Sequence, residues 1–171
     1  MNIYPTLTNL RSYLSYEFSE LRIRASQDAF WARLTGKNLS LATLPKEVPQ
    51  RSPNKKLLGI NEIRVDQIIG TLSRNNDFDY KFRPLKQHLL DRWVNTFMSL
   101  DQDEWSPIVV HKIGEQYYVE DGHHQVSVAR ATGMVFIDAE IWEYAALSKL
   151  TEVFQPVTCI EQSPSKSYVT G

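Results

Sequence analysis

Apolar residues recur every three or four positions in the first part of the chain, which predicts a long amphipathic helix over residues 8–35. The stripe consists of Leu10, Leu14, Phe18, Leu21 and Ala25, continues to Ala29 and is widened by Phe30, Trp31 and Leu34. Gly36 is expected to end the helix. Residues 37–58 have no clear period and contain three prolines, which predicts a linker with a domain boundary near residues 50–58.

The pattern then alternates between strand-like and helical spacing, which predicts a compact α+β domain over residues 59–144. The expected elements are a strand within 59–69 that Gly70 breaks, a polar loop, a helix at 85–100, strands at 107–113 and 116–119, a helix at 126–132 and a strand at 135–144. We therefore expect a small mixed sheet with helices, preceded by an N-terminal helical arm and linker over residues 1–58. Residues 145–171 are expected to form a short helix and a polar tail.

Composition narrows the class of protein. The 171 residues are 42% apolar and carry a net charge of −1, so a folded core is expected and bulk attraction to nucleic acid is not. No apolar run reaches the roughly 18–20 residues of a membrane span, and residues 1–11 lack the apolar core of a secretory signal. The single cysteine, Cys159, excludes an internal disulfide. The simplest compartment is cytoplasmic, with no membrane partner.

The segment from Tyr117 to Arg130 joins a strand, the polar turn Asp121-Gly122-His123-His124 and a helix of small residues. A helix N-terminus that follows a glycine turn favours a phosphate or carboxylate through its N–H groups and its dipole. The candidate ligand-binding residues are Gly122, His123, His124, Gln125, Ser127 and Arg130, together with Arg74 in the loop after the first strand. Since glycine permits close approach of a ligand, Gly122→Val is expected to abolish binding without unfolding the domain.

Several candidates have a structural alternative. Asp121 can cap the turn, or it can act as a general base or bind Mg²⁺ beside a phosphate. His123 and His124 can cap the helix or pair with a carboxylate, or they can contact a substrate. A metal site built from Asp121, one of these histidines and His88 has no supporting ligand spacing, so no metal site is assigned.

Taken together, these segments resemble the ParB/sulfiredoxin-like superfamily over residues 59–144. The resemblance rests on residues 105–110, 117–119, 121–124, 128–133 and 137–139, with residues 63–68 as the opening strand. The superfamily includes CTP-binding partition proteins, ATP-using sulfiredoxins and kinases of free serine. The resemblance implies a nucleotide phosphate site at the glycine turn and the following helix.

This chain departs from the superfamily at informative positions. The usual Gly-x-x-Arg arginine is replaced by Gln125, whose neutral amide is no substitute for a guanidinium that grips phosphate. His123 stands where sulfiredoxins have their cysteine. Asp121-Gly122-His123 matches the free-serine kinases, which would make Asp121 and His123 catalytic, but their upstream glutamate has only Glu62 and Asp66 as nearby candidates.

Three interpretations remain open. The first is a ParB-like domain that binds a nucleotide or another phosphorylated small molecule. The second is an enzyme, a small-molecule phosphotransferase resembling the free-serine kinases. The third is an interaction domain with a degraded nucleotide site, which docks or forms a homodimer through its N-terminal helix. The cofactor is unassigned, with a nucleotide and Mg²⁺ as the candidate. About 27 residues follow Tyr144, too few for the DNA-binding domain of partition proteins, so specific DNA binding is not expected.

Overall fold

The structure is a computed structural model that describes residues 7–44, 55–72, 76–100 and 105–144. Within these residues, single-turn 3₁₀ helices at Val65–Gln67 and Gln87–Leu89 precede β3 and α2. The helices and strands are α1 (Leu7–Thr35), β1 (Ala42–Thr43), β2 (Lys55–Arg64), β3 (Ile68–Thr71), α2 (Leu90–Leu100), β4 (Ile108–Ile113), β5 (Gln116–Asp121), α3 (His123–Thr132) and β6 (Phe136–Tyr144).

The predicted N-terminal helix is present, and Gly36 follows it with a φ of +68°. Its inner face buries Leu14, Phe18 and Ala25, as the apolar stripe predicts. The assignment of Phe30, Trp31 and Leu34 to that stripe was wrong, since these side chains are 60%, 64% and 64% exposed. Each residue turns the helix by about 100°, which carries Phe30 and Leu34 to the side opposite Phe18 and Ala25.

The six strands among the described residues form one mixed sheet in the order β1-β3-β5-β4-β6-β2. Strand β3 runs parallel to β1 and β5, and β4 runs parallel to β6. The pairs β4–β5 and β2–β6 are antiparallel. A mixed sheet of this kind, with the helices packed against it, confirms the predicted α+β class.

The sheet begins earlier in the chain than the sequence predicts. Ala42 and Thr43, inside the predicted linker, pair with β3, and β2 starts at Lys55. Gly70 does not break the strand but lies within β3, where an added Cβ would stand 2.3 Å from the carbonyl oxygen of Ala42. The glycine is therefore needed for the close approach of two backbones. The helix predicted at residues 145–154 lies outside the described residues.

Helices α1, α2 and α3 cover one face of the sheet and form the main core. A smaller apolar cluster of Leu44, Ile113, Tyr118 and Tyr144 lies on the other face, since successive strand residues point in opposite directions. None of the helices among the described residues has both the length and the apolar character that crossing a membrane requires.

A hydrogen-bonded histidine joins three strands on this second face. His111 on β4 is 1% exposed, with Nε2 2.5 Å from Glu120 Oε2 and Nδ1 2.9 Å from the Tyr144 hydroxyl. Because a carboxylate only accepts, Nε2 carries the proton, and neutral His111 accepts at Nδ1 from Tyr144. Burial lowers the pKa of His111, an effect that outweighs the opposing hydrogen bond to Glu120 and that nearby Lys55 reinforces.

This histidine predicts a loss of stability in mild acid. Since its folded-state pKa lies below the unfolded value of about 6.5, the unfolded chain takes up a proton first as the pH falls. The stability that neutral His111 contributes is fully present above about pH 6.5 and is lost as the pH falls through the lower folded-state pKa. We expect denaturant unfolding between pH 7.5 and 5 to show a shallower pH dependence for His111→Gln. The exposed His88→Gln is the matched control and should keep the native slope; equal slopes in all three proteins would contradict the assignment.

Candidate functional site

The end of β5 and the start of α3 meet at Gly122, which adopts a φ of +100°. An added Cβ at this position would stand 2.3 Å from Cγ2 of Ile108. No side chain caps the helix at Gly122, and the first intrahelical bond is donated by Val126 N–H to the Gly122 carbonyl at 3.0 Å. The N-terminus of a ten-residue helix therefore lies directly beside the first residue of β4.

A cavity of about 230 Å³ opens at this helix end. Helix α2 forms one wall, residues 105–106 form another, and the glycine turn forms the floor. The lining residues are Arg92, Thr96, Ser99, Trp105, Ser106 and all of Asp121, Gly122, His123, His124 and Gln125. The structure thus brings five of the predicted site residues to one cavity.

Arg92 is the basic lining residue that sequence reasoning missed. Its side chain is exposed at the cavity, and among the described residues no carboxylate forms an ion pair with it. Arg92, Thr96 and Ser99 are spaced by four and three positions, so they form a polar stripe on α2 beside the buried Trp93. That spacing was visible in the sequence, but the distance of 30 residues between Arg92 and Gly122 hid the connection.

The walls are held by hydrogen bonds between them. The indole Nε1 of Trp105 donates to the Thr96 carbonyl at 2.9 Å and lies 3.2 Å from Ser99 Oγ. Gln125 Nε2 donates to the Ser106 carbonyl at 2.7 Å. Gln125 therefore ties α3 to the segment that leads into β4.

Asp121 is the acidic group of the cavity. It is the last residue of β5, its side chain is exposed, and it forms no ion pair with Arg92. An anion in the cavity would meet Arg92 and the positive end of the α3 dipole, with Asp121 at the margin. The carboxylate is placed to accept a proton or to bind a cation that accompanies the anion.

The two histidine rings are turned into the protein. His123 and His124 are 2% and 5% exposed. His123 Nε2 lies 2.6 Å from Thr71 Oγ1 at the end of β3, and its ring stacks on Phe78. The rings of His124 and Phe78 are in edge-to-face contact. These side chains position the start of α3, so a ligand in the cavity would meet their backbone.

The loop that carries Phe78 is itself held by a buried carboxylate. Asp79, 3% exposed, accepts from the backbone N–H groups of Lys81 and Arg83 at 3.0 and 2.9 Å and from Arg83 Nε at 2.7 Å. The guanidinium of Arg83 also binds Asp28 on α1 at 2.7 Å, which lowers the pKa of Asp28. The aromatic support of the histidines is thereby fixed to α1.

Two other predicted ligand residues have structural partners. Ser127 is buried and its hydroxyl accepts from Trp93 Nε1 at 3.0 Å. Arg130 donates to the carbonyl of Ile68 at 2.6 Å, and its guanidinium stacks 5.0 Å from the Phe82 ring. Neither lines the cavity at the glycine turn. Arg74 lies outside the described residues.

Among residues 7–44, 55–72, 76–100 and 105–144, no cluster of three or more histidine, cysteine or acidic side chains is arranged to hold a metal ion. A scan against protein-family models, a search of curated proteins and a search of solved structures each gave no match. The resemblance to the ParB/sulfiredoxin-like superfamily therefore stays a prediction.

The contact of Gly122 with Ile108 changes the expected outcome of substitution there. Ile108 is 1% exposed and has no room to retreat, so we now expect a substitution at Gly122 to weaken the fold as well as the binding. We expect Gly122→Ala to destabilise the fold by roughly 2–4 kcal/mol through overpacking and left-handed strain.

Gly133→Ala is the matched control for this substitution. It shares the left-handed conformation, with a φ of +74°, but no atom lies within 4 Å of its added Cβ. It should therefore cost about 1 kcal/mol. Equal costs for the two glycines in denaturant unfolding would contradict the contact.

Proposed function

We propose that this protein binds a phosphorylated small ligand, with the phosphate in the cavity between Arg92 and the start of α3. The observation that carries the proposal is an arginine without a carboxylate partner among the described residues, facing a helix N-terminus across a cavity. Guanidinium groups bind phosphate through two parallel hydrogen bonds, and a helix dipole favours the same charge. Arg92 supplies the cation that Gln125 does not.

The size of the cavity supports a phosphate group rather than a whole enclosed nucleotide. Sites that enclose drug-sized ligands have volumes of about 300–1,000 Å³, and this one has about 230 Å³. A nucleotide bound here would keep its phosphate inside and extend its sugar and base beyond the mouth. The partly buried Trp105 and the exposed Asp121 are the groups it would pass.

The test is ligand binding by calorimetry with inorganic phosphate, pyrophosphate, ATP and CTP, each with and without Mg²⁺. Loss of one charge-assisted contact is worth roughly 1.5–3 kcal/mol, so Arg92→Gln should weaken binding by about tenfold or more. Arg24→Gln removes an exposed arginine from α1 and should leave the affinity unchanged. Gln125→Arg adds a cation to the lining and should tighten binding by a similar factor.

Binding that is equal in the native protein, Arg92→Gln and Arg24→Gln would mean that the anion lies elsewhere. Absence of any heat or thermal shift at millimolar concentration of all four ligands would overturn the proposal. Because the Arg92 side chain is exposed and has no carboxylate partner in the described chain, Arg92→Gln should unfold at the same denaturant concentration as the native protein.

Phosphotransfer is the second candidate, and Asp121 is the observation that favours it. A carboxylate at the margin of a phosphate site can accept the proton of an attacking hydroxyl or bind Mg²⁺. Its exposed side chain lines the same cavity as Arg92. His123 is buried against Thr71 and Phe78, so its support for such a reaction is positional.

The enzyme interpretation predicts nucleotide consumption that depends on Asp121. ATP or ADP with Mg²⁺ and a panel of amino acids that includes serine should yield product with the native protein and none with Asp121→Asn. The variant should bind the nucleotide and remain folded, because the carboxylate is exposed. Consumption no faster than the protein-free blank over a long incubation would eliminate catalysis and leave the binding function.

A further inference from the structure

A second cavity, of about 350 Å³, lies beside the C-terminal half of α3. Its described lining includes the basic side chains of Lys81, Arg83 and Arg130 and no acidic one, together with the apolar Leu21 and Ala131. None of these residues lines the cavity at the glycine turn. The volume falls in the range of about 300–1,000 Å³ that is usual for small-molecule sites, and the basic lining favours an anionic ligand.

The two carboxylates nearest this cavity are already bound to Arg83. The guanidinium of Arg83 donates to Asp79 Oδ2 and to Asp28 Oδ2, both at 2.7 Å. Lys81 Nζ lies 3.7 Å from the same Asp28 oxygen, which is beyond hydrogen-bond distance. The described residues thus place three cations, including Arg130, around two carboxylates, so one positive charge has no counterpart.

Arg130 has hydrogen-bond donors left for a ligand. Its guanidinium donates to three backbone carbonyls through Nη1 and Nη2, and the shortest of these bonds goes to Ile68 at 2.6 Å. A guanidinium carries five N–H donors, so the group on Nε and one of those on Nη1 make no bond to a described residue. These donors belong to a side chain that lines the cavity.

The charge of Arg130 is held without an anion of its own. Burial lowers the pKa of its guanidinium, and the distant carboxylates of Asp79 and Asp66 oppose this effect. Both carboxylates have nearer partners, since Asp79 is bound to Arg83 and Asp66 to Arg64. A cation removed from water without a paired anion is costly, and an anion in the cavity would offset that cost.

The wall of the cavity contains a strained residue. Phe82 has a φ of +57°, a left-handed conformation that is unusual for a bulky side chain, and its ring lies 5.0 Å from the Arg130 guanidinium. The Asp79 carboxylate holds the turn by accepting from the N–H groups of Lys81 and Arg83, on either side of Phe82. Strain of this kind is concentrated at functional sites, and here the strained turn brings two cations to one cavity.

We propose that this cavity binds a small organic carboxylate, with its carboxylate group between Arg130 and Lys81 and its apolar part against Leu21 and Ala131. A carboxylate accepts from both kinds of donor through charge-assisted hydrogen bonds. Its single negative charge matches the one positive charge without a counterpart, whereas a phosphate monoester carries about −1.5 to −2. The site is separate from the phosphate cavity and does not depend on it.

Calorimetry with benzoate and benzamide tests the charge of the ligand. Benzoate should bind the native protein, and benzamide, which has nearly the same shape and no charge, should not. Lys81→Gln should weaken benzoate binding by roughly threefold or more, since the Lys81 side chain is 52% exposed and its contact is partly screened. Lys37→Gln is the matched control, because Lys37 is exposed and does not line the cavity; it should keep the native affinity.

Nuclear magnetic resonance of the arginine Nε–H groups locates the anion without a variant that might fail to fold. The Arg130 signal should shift with benzoate and stay in place with benzamide or inorganic phosphate, while the Arg92 signal should not respond to benzoate. A benzoate shift at Arg92 alone, or equal affinity for benzoate and benzamide, would overturn the proposal. So would an Arg130 shift with phosphate, tighter binding of acetyl-Ala-Leu than of benzoate, which would indicate a peptide C-terminus, or no heat and no shift at millimolar benzoate.

Discussion

The contact between Gly122 and Ile108 is the constraint on which the candidate site depends. It allows α3 to begin directly over the first residue of β4, and only a residue without a Cβ permits this approach. The same turn sets the distance between the start of α3 and α2, and hence the width of the cavity beside Arg92. The candidate site and the packing of the core therefore depend on one backbone conformation.

Local periodicity predicted most of the fold. The stripe of Leu14 and Phe18 located α1, and Gly36 just beyond the last turn located its end. These features could be read from the sequence because their causes lie within a few residues of each other. The glycine turn with Asp121 and Gln125 was found in the same way, since its polar residues are adjacent in the chain.

The features that were missed depend on distant partners. A glycine such as Gly70 is usually expected to break a strand. Only the close approach of the Ala42 backbone explains why it lies inside one. An arginine at position 130 is a reasonable candidate for a phosphate ligand. Its hydrogen bond to the Ile68 carbonyl instead connects α3 to the start of β3. In the sequence, Arg92 cannot be distinguished from an ordinary surface residue. It becomes a candidate site residue only because the fold places it at the cavity beside the turn at Gly122.

The last strand of the sheet among the described residues, β2, has a consequence for the protein's behaviour at high concentration. An edge strand offers unpaired backbone groups to other chains, and Leu57, Leu58 and Ile60 make this edge apolar. The irregular register between Leu57 and Gly59 twists it away from the flat shape that templates cross-β growth. We therefore expect the register shift to make the exposed edge of β2 a poor template for fibril growth.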